Sequence, residues 1–399
     1  MSTSRTVTEW RLQEYESKVL PDLSREEALQ IRELFGAYVE VGRDLVSGHY
    51  VLKAGHHVGV LVMGAVRIVV EPKTPVANLF EMLTYAYDLP ALRREEAPLT
   101  ESAELFPFII RIFVRQVGQL LRQGITRRYV DVEENQSFLR GRLLLDQQLQ
   151  RNAVRVDRFY QQLNETTADV LENRILKYTL WQLSRLATID AALRRQLRRM
   201  LSGFADVSLV RVSSTDCLDV NYTRLNNRYR TPVNLAHLLL EHLSLEAKVG
   251  GVAAASFVFN MNEVFERFVA YYLREHVPAL DDSLQIEIQP NIWLDVERKE
   301  KARPDIVLRK NGARRAILDT KYKVFKGSPS GADLHQMMAY CHSLQLGEAV
   351  LIYPGAEHID YRRRFHDFAV SGLNVDLGGE LEVFREGCLG FVGRVVGVV

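Results

Sequence analysis

With 399 residues the chain exceeds what one ordinary hydrophobic core fills, so two or three domains are expected. It is 47% hydrophobic and 25% charged, which excludes a disordered or low-complexity chain, and its net charge of +1 leaves any basic surface to be local. Three widely spaced cysteines (Cys217, Cys341, Cys388) argue against a disulfide framework or a cysteine zinc site. With a polar, charged segment over residues 1–17 and no run approaching ~18 apolar residues, a cytoplasmic protein without membrane contact is expected.

Residues 1–48 are charged and helix-like, and Ser24-Arg-Glu-Glu has the form of a capped helix start. Residues 55–72 are β-branched, with Met63-Gly64-Ala65 placed to turn one strand into the next, and residues 76–87 return to helical spacing. These stretches predict a β-rich domain over residues 1–95. His56 and His57 would point to opposite faces of a strand, so they read as structural and not as ligands of one ion.

Residues 96–249 read as mainly helical: a long apolar helix over 105–125, short strands within 129–145 around Gly141, then helices over 169–187 and 191–200. Arg194, Arg195, Arg198 and Arg199 on the last of these form a solvated face first and a phosphate-contacting patch only second. Helices over 232–245 and 257–273 follow. Strands are expected over 284–289 and 292–296, then a helix over 333–343, a buried strand over 349–353 and one or two more strands within 365–377. That alternation predicts an α/β layered C-terminal domain over residues 250–399 with a central mixed sheet. The whole is an α/β multidomain chain with a β-rich start and a helical middle. Residues 1–50 and 380–399 carry no assignable role.

Between those strands lies a hairpin over residues 303–322, with apolar runs Ile306 to Leu308 and Ala316 to Leu318 joined at Asn311-Gly312. Strand alternation sends Asp319 and Lys321 to one side and Thr320 to the other, and the antiparallel return brings Asp305 close to Asp319. Hard Mg²⁺ (or Mn²⁺) takes one or two carboxylates, carbonyls and water. Asp305, Asp319 and the Thr320 carbonyl supply such a set, and Lys321 is placed to orient a nucleophilic water or to stabilise developing charge. An isolated Asp-x-Lys is usually a solvated strand end. Three additions weigh against that here: Pro304-Asp305 opening the earlier strand, Gln336 and Tyr340 one turn apart on the following helix, and Glu266 beside the buried stripe of an upstream helix, with Glu263 as its rival.

Together these residues resemble the PD-(D/E)xK nuclease superfamily, and Gln336-Met-Met-Ala-Tyr340 resembles the Q-x-x-x-Y element of its RecB-like branch. The resemblance implies Asp305 and Asp319 as metal ligands, Lys321 as catalytic lysine, Glu266 from the first helix, and Gln336 and Tyr340 facing substrate. Lys323 is a weaker substitute for Lys321. Phe259-Asn-Met-Asn-Glu-Val-Phe-Glu-Arg-Phe268, Asp169-Val-Leu-Glu-Asn-Arg-Ile-Leu-Lys177, Leu139-Arg-Gly-Arg142 and Val70-Glu-Pro-Lys73 look like segments of the McrC family. Its members are the nuclease subunits of McrBC modification-dependent restriction systems, which serve in antiviral defence.

That likeness implies an endonuclease cutting double-stranded, methylcytosine-containing DNA under the control of an McrB-like AAA+ GTPase hexamer, with GTP acting only through that partner. The N-terminal domain would engage the ring. The 55–72 hairpin is a candidate contact and equally a plain barrel wall. The chain carries no Gly-x-x-x-x-Gly-Lys-Ser/Thr loop and no evident methylated-base reader of its own. A RecB-like nuclease acting alone or with a different ATPase, and a non-enzymatic adaptor that braces a ring, stay open as alternatives. Arg127-Arg128 and Arg362-Arg363-Arg364 read as DNA contacts or surface charge alike.

Overall fold

A computed structural model describes residues 8–93, 101–186, 189–249 and 252–398 of the chain. The fold is mixed α/β with several sheets. Its contacts divide it into two compact units, Met1–Phe106 with His242–Val399, and Pro107–Glu241. The sequence divides the chain into consecutive segments instead, at residues 95 and 249. The difference arises because both ends of the chain enter one five-stranded sheet, in the order Thr8–Gln13, Val66–Glu71, His57–Met63, Val252–Asn260, Leu243–Val249.

The expected hairpin over 55–72 is present, turning at Gly64 with φ +58°. Around it, three stretches expected to be helix-like are strands. Thr8–Gln13 alternates exposed and buried residues through Trp10 and Leu12, a period of two masked by the charged residues between. Ser17–Leu20 and Val39–Arg43 flank Tyr50–Ala54 in a second, three-stranded antiparallel sheet. The helix Arg25–Phe35 starts where expected. Ser24 accepts from the Glu27 amide and Glu27 caps Ser24 in return, so two orphan donors are satisfied. Trp10, Leu12, Ile31, Phe35, Leu52, Leu61 and Ile68 fill the space beside these sheets. His57 packs edge-on to Tyr38, and burial with the neighbouring His56 pushes its imidazole down to about 4, so it is a neutral, half-buried ring.

The expected helix over 257–273 starts late. Phe257 to Asn260 belong to the strand Val252–Asn260, and the helix Met261–Leu280 begins where the Asn260 side chain accepts from the Asn262 amide. The largest sheet of this unit has six strands in the order Leu284–Ile288, Ile306–Lys310, Ala313–Thr320, Glu348–Pro354, Phe368–Val375, Tyr361–Phe365. It is mixed: Ala313–Thr320, Glu348–Pro354 and Phe368–Val375 run parallel, and the other pairings are antiparallel. Helix Gly331–Leu344 covers one face, packing Met337, Tyr340 and Cys341 on Val307, Ile317, Leu351 and Val370. Met261–Leu280 and the closing helix Leu381–Val396 take the other, with Phe268 stacked on Phe384.

That closing helix was unassignable because it is rich in Gly and Val, which are poor helix formers. Tertiary contacts hold it. Helix Val76–Ala86 sends Asn78 to the carbonyls of Leu377, Gly378 and Gly379, and its Glu81 forms a two-pronged ion pair with Arg385.

Residues 101–249 hold the expected helices, Ser102–Gln123, Leu171–Ser184, Ala191–Leu201 and Arg230–His242, but their strands are longer than expected. Arg128–Gln136 and Phe159–Thr167 are nine-residue antiparallel strands, with the short Arg142–Leu143 on the other side of the second. Two segments that carry the family likeness are structural here. A Cβ on Gly141 would sit 2.3 Å from the Gln162 carbonyl oxygen, and buried Gln161 accepts from the Arg140 and Gly141 amides while donating to Phe138 O. Asp169 takes both prongs of Arg174 and caps Ser208 as well. Arg128 compensates the buried Glu172, and Arg195, Arg198 and Arg199 form an exposed helix face. Among the described residues, no helix is long and apolar enough to cross a membrane.

Candidate active site

The hairpin forms as its sequence requires. Ile306 pairs with Leu318, and Asn311 (φ +51°) with Gly312 (φ +81°) supplies the two left-handed residues of a two-residue turn. Val307 and Ile317 face helix Gly331–Leu344, so by strand alternation Asp305 and Asp319 lie on that helix's side, at the carboxyl end of the parallel strands. The strand ends at Thr320, and Lys321 hands its backbone N–H to Ile352 O at 2.8 Å.

Four of the expected residues join in one chain of contacts. Lys321 Nζ lies 2.5 Å from Asp319 Oδ2 and donates to Gln336 Oε1 at 3.0 Å, and Gln336 Nε2 donates to Tyr340 Oη at 3.0 Å. Asp319 is 1% exposed, and its Oδ2 has the lysine charge beside it without an aligned hydrogen bond. Asp305 Oδ2 accepts from both the amide and the hydroxyl of Thr320.

Electrostatics set this cluster apart from a strand end. Burial raises the carboxyl pKa of Asp305, against the pull of the Thr320 hydrogen bonds. Burial first and the Asp305 charge second push Asp319 up to about 7. Glu266 is raised by burial and then by Asp305. Burial lowers Lys321, but the Asp319 carboxylate outweighs it and the net shift is upward, so the side chain stays an ammonium at neutral pH. One ammonium thus faces three crowded acids, an arrangement a divalent cation would relieve.

The donors suit a hard cation: Asp305 and Asp319 carboxylates with the Thr320 carbonyl, leaving other positions for water. Among the described residues no group of three or more His, Cys, Asp or Glu side chains is arranged to hold a metal. Glu266 stands beside it, held by Gln289 Nε2 at 2.5 Å. Glu263 instead accepts from Asn260 at the exposed start of the helix. Lys323 lies beyond the strand end and pairs with Asp333 at 2.6 Å, whereas Lys321 pairs with Asp319.

Gln289 is the site residue that sequence reasoning missed. It adopts φ +45°, donates its amide to Asp305 O at 2.8 Å and holds Glu266 through its side chain. The one local hint was Pro290 after it, which marks a strand end and no chemistry.

Residues 52–354, a span that takes in Glu266 to Tyr340, match the family described as McrBC 5-methylcytosine restriction system component. A curated relative, the type IV methyl-directed restriction enzyme EcoKMcrBC of Escherichia coli (strain K12), is 22% identical over 336 residues, covering 78% of this chain and 94% of the relative. A solved structure described as a refined half-complex from a tetradecameric assembly of Thermococcus gammatolerans McrB AAA+ hexamers with bound McrC is 21% identical. It has a TM-score of 0.60 and covers 97% of this chain and 100% of that one. The cryo-EM structure of the Thermococcus gammatolerans McrBC complex is 24% identical, with a TM-score of 0.46, over 67% of this chain and 87% of that one. The first of these structural likenesses shows a shared fold.

Proposed function

Since the chain belongs to the McrBC 5-methylcytosine restriction system component family, we propose that it is the metal-dependent endonuclease subunit of such a system. The observation that carries this reading is the convergence of Asp305, Asp319 and Lys321 on the helix that bears Gln336 and Tyr340. A system of this kind would cut double-stranded DNA containing methylcytosine. Its partner would be an AAA+ GTPase ring, since the chain shares its fold with a structure described as McrB hexamers with bound McrC. GTP would then act only through that partner.

Asp305, Asp319 and the Thr320 carbonyl would hold Mg²⁺ or Mn²⁺, which when bound lowers the pKa of a water and neutralises charge on the phosphate. The protein's own part follows from geometry. Thr320 fixes one oxygen of Asp305 through its amide and its hydroxyl. Lys321 stays protonated, so it orients the attacking water and stabilises phosphorane charge rather than taking a proton. Gln336 holds the ammonium from the far side and is itself aligned by Tyr340. Glu266, raised in pKa, is the remaining carboxyl at the rim and a candidate to accept or relay the water's proton.

The test uses supercoiled methylated plasmid, Mg²⁺, GTP and the ring partner, with wild type and Asp319→Ala. The reading expects nicking or double-strand cleavage that Asp319→Ala abolishes. Cleavage that survives the substitution defeats the site. Cleavage by this chain without a partner favours a RecB-like nuclease acting alone.

A further inference from the structure

We propose that Glu14, in the turn that ends the first strand of the N-terminal sheet and about 300 residues away in sequence, is a positioning residue for the nuclease lysine, acting through Tyr322. The inference rests on the nuclease reading of Lys321.

Three consecutive residues leave the sheet after Thr320, and each is held separately. Lys321 goes to Asp319 and Gln336, and Lys323 goes to Asp333 on the same helix. Tyr322 lies between them and packs its ring on Phe265 of helix Met261–Leu280, on the opposite face, at 5.7 Å between centroids. Its hydroxyl donates to Glu14 Oε2 at 3.1 Å. Strand ladder bonds no longer fix this stretch, and the backbone around Lys321 keeps only its own N–H to Ile352 O and the Lys323 N–H to Lys321 O. The Tyr322 side chain is therefore the peg that sets the rotation of the chain at Lys321.

Glu14 is built for one position. It directly follows Thr8–Gln13 and is 2% exposed. Its Oε2 also accepts from the Lys73 amide at 3.1 Å. Its amide bonds Glu71 O, and the next residue, Tyr15, takes φ +62°, which turns the chain away and leaves the carboxyl pointing inward. Oε1 is buried with no hydrogen-bond partner. A carboxyl buried at that cost, with half its acceptor capacity unused, is a poor stability element and a directional one. It ties the end of the N-terminal sheet to the residue after the nuclease lysine, with Thr74 as a second polar neighbour of the Tyr322 hydroxyl. A movement of that sheet would reach Lys321 through the Tyr322 hydroxyl.

Glu14→Ala, Glu14→Gln and Tyr322→Phe separate this role from a plain packing role. In the plasmid assay with the partner, Glu14→Ala and Tyr322→Phe are expected to lower kcat about ten- to hundredfold with KM and partner GTPase stimulation unchanged. Glu14→Gln keeps an acceptor for the tyrosine and is expected to recover most of the rate. Hydrogen exchange, read on the same variants without metal, is expected to quicken over residues 318–326 alone in Glu14→Ala and Tyr322→Phe. Wild-type rate and unchanged exchange in Glu14→Ala would overturn the proposal. So would a loss shared with global destabilisation and not recovered by Gln. If wild type itself does not cleave, the nuclease reading falls, and the exchange arm still decides whether Glu14 holds the segment at Lys321.

Discussion

Thr320 closes on Asp305 with both of its donors: the backbone N–H and the hydroxyl each lie 2.7 Å from Asp305 Oδ2. A carboxylate held at one oxygen presents the other in a fixed direction, which is what a metal ligand at a strand mouth requires. Thr320→Val deletes one of the two bonds while keeping shape, and Thr320→Ser keeps both. Cleavage and metal affinity should fall about tenfold in Thr320→Val and stay near wild type in Thr320→Ser, where second-sphere losses typically run ~10–100-fold. Titration with Mn²⁺ followed by calorimetry measures the affinity arm. Equal affinity in both variants would show that Thr320 does not orient the ligand.

Asp319 gives a prediction of opposite sign for stability and activity. Its folded-state carboxyl is raised to about 7 from an ordinary 3.8, so charging it costs the folded state. The sign follows from linkage: the folded form binds the extra proton between those values, and stability falls as pH rises from about 4 to about 7. Asp319→Asn is neutral throughout, so in chelator at pH 8 it should be more stable than wild type, by on the order of 1–3 kcal/mol after the lost Lys321 pairing is counted. At pH 4 the gain should vanish, and cleavage should be absent at every pH. Thermal melts at the two pH values decide it. A destabilised variant at pH 8 would mean that the ion pair with Lys321 outweighs burial.

The same carboxyl should govern the pH dependence of cleavage. Below about 7 a metal ion must displace a proton from the Asp305–Asp319 pair, so at limiting Mg²⁺ the rate should fall as pH drops through that value. Raising Mg²⁺ should move the midpoint downward, since metal and proton compete for the same oxygens. Lys321 is raised and stays charged, so no second fall should arise from it between pH 7 and about 9. Single-turnover rates at two Mg²⁺ concentrations supply the test, and a midpoint indifferent to metal would exclude this competition.

What the sequence could disclose here was what neighbours in the chain decide. Asn311-Gly312 dictates a turn, alternation then fixes which residues share a face, and the hairpin with its opposed Asp305 and Asp319 follows without tertiary knowledge. Ser24 with Glu27 is local in the same way. The five-stranded sheet is not. Val252–Asn260 pairs with His57–Met63 across some 190 residues, and Phe257-Val-Phe in isolation fits a buried strand or a helix equally well. Leu381–Val396 is held by Glu81 on Arg385 and Phe268 on Phe384, a reason no window around it contains. Spacing favoured Glu266 and left Glu263 as its rival. They differ through Gln289, whose left-handed backbone has no sequence signature.

That pair yields a discriminating experiment. Glu266 is held by Gln289 at 2.5 Å, and the charge of Asp305 raises it further, whereas Glu263 accepts from Asn260 at an exposed helix start. Glu263→Gln removes a favourable charge from the first turn and should cost under ~1 kcal/mol of stability, with cleavage unchanged. Glu266→Gln should lower the cleavage rate by about tenfold or more, in the range typical of a lost acid–base group. Gln289→Ala acts on the same carboxyl by releasing it, so the double variant Glu266→Gln with Gln289→Ala should be no slower than Glu266→Gln alone. Rates of the four proteins under single-turnover conditions give the coupling directly. Simple additivity would mean that Gln289 acts through the Asp305 carbonyl instead, and a larger loss at Glu263 than at Glu266 would reverse the assignment of the helix's functional face.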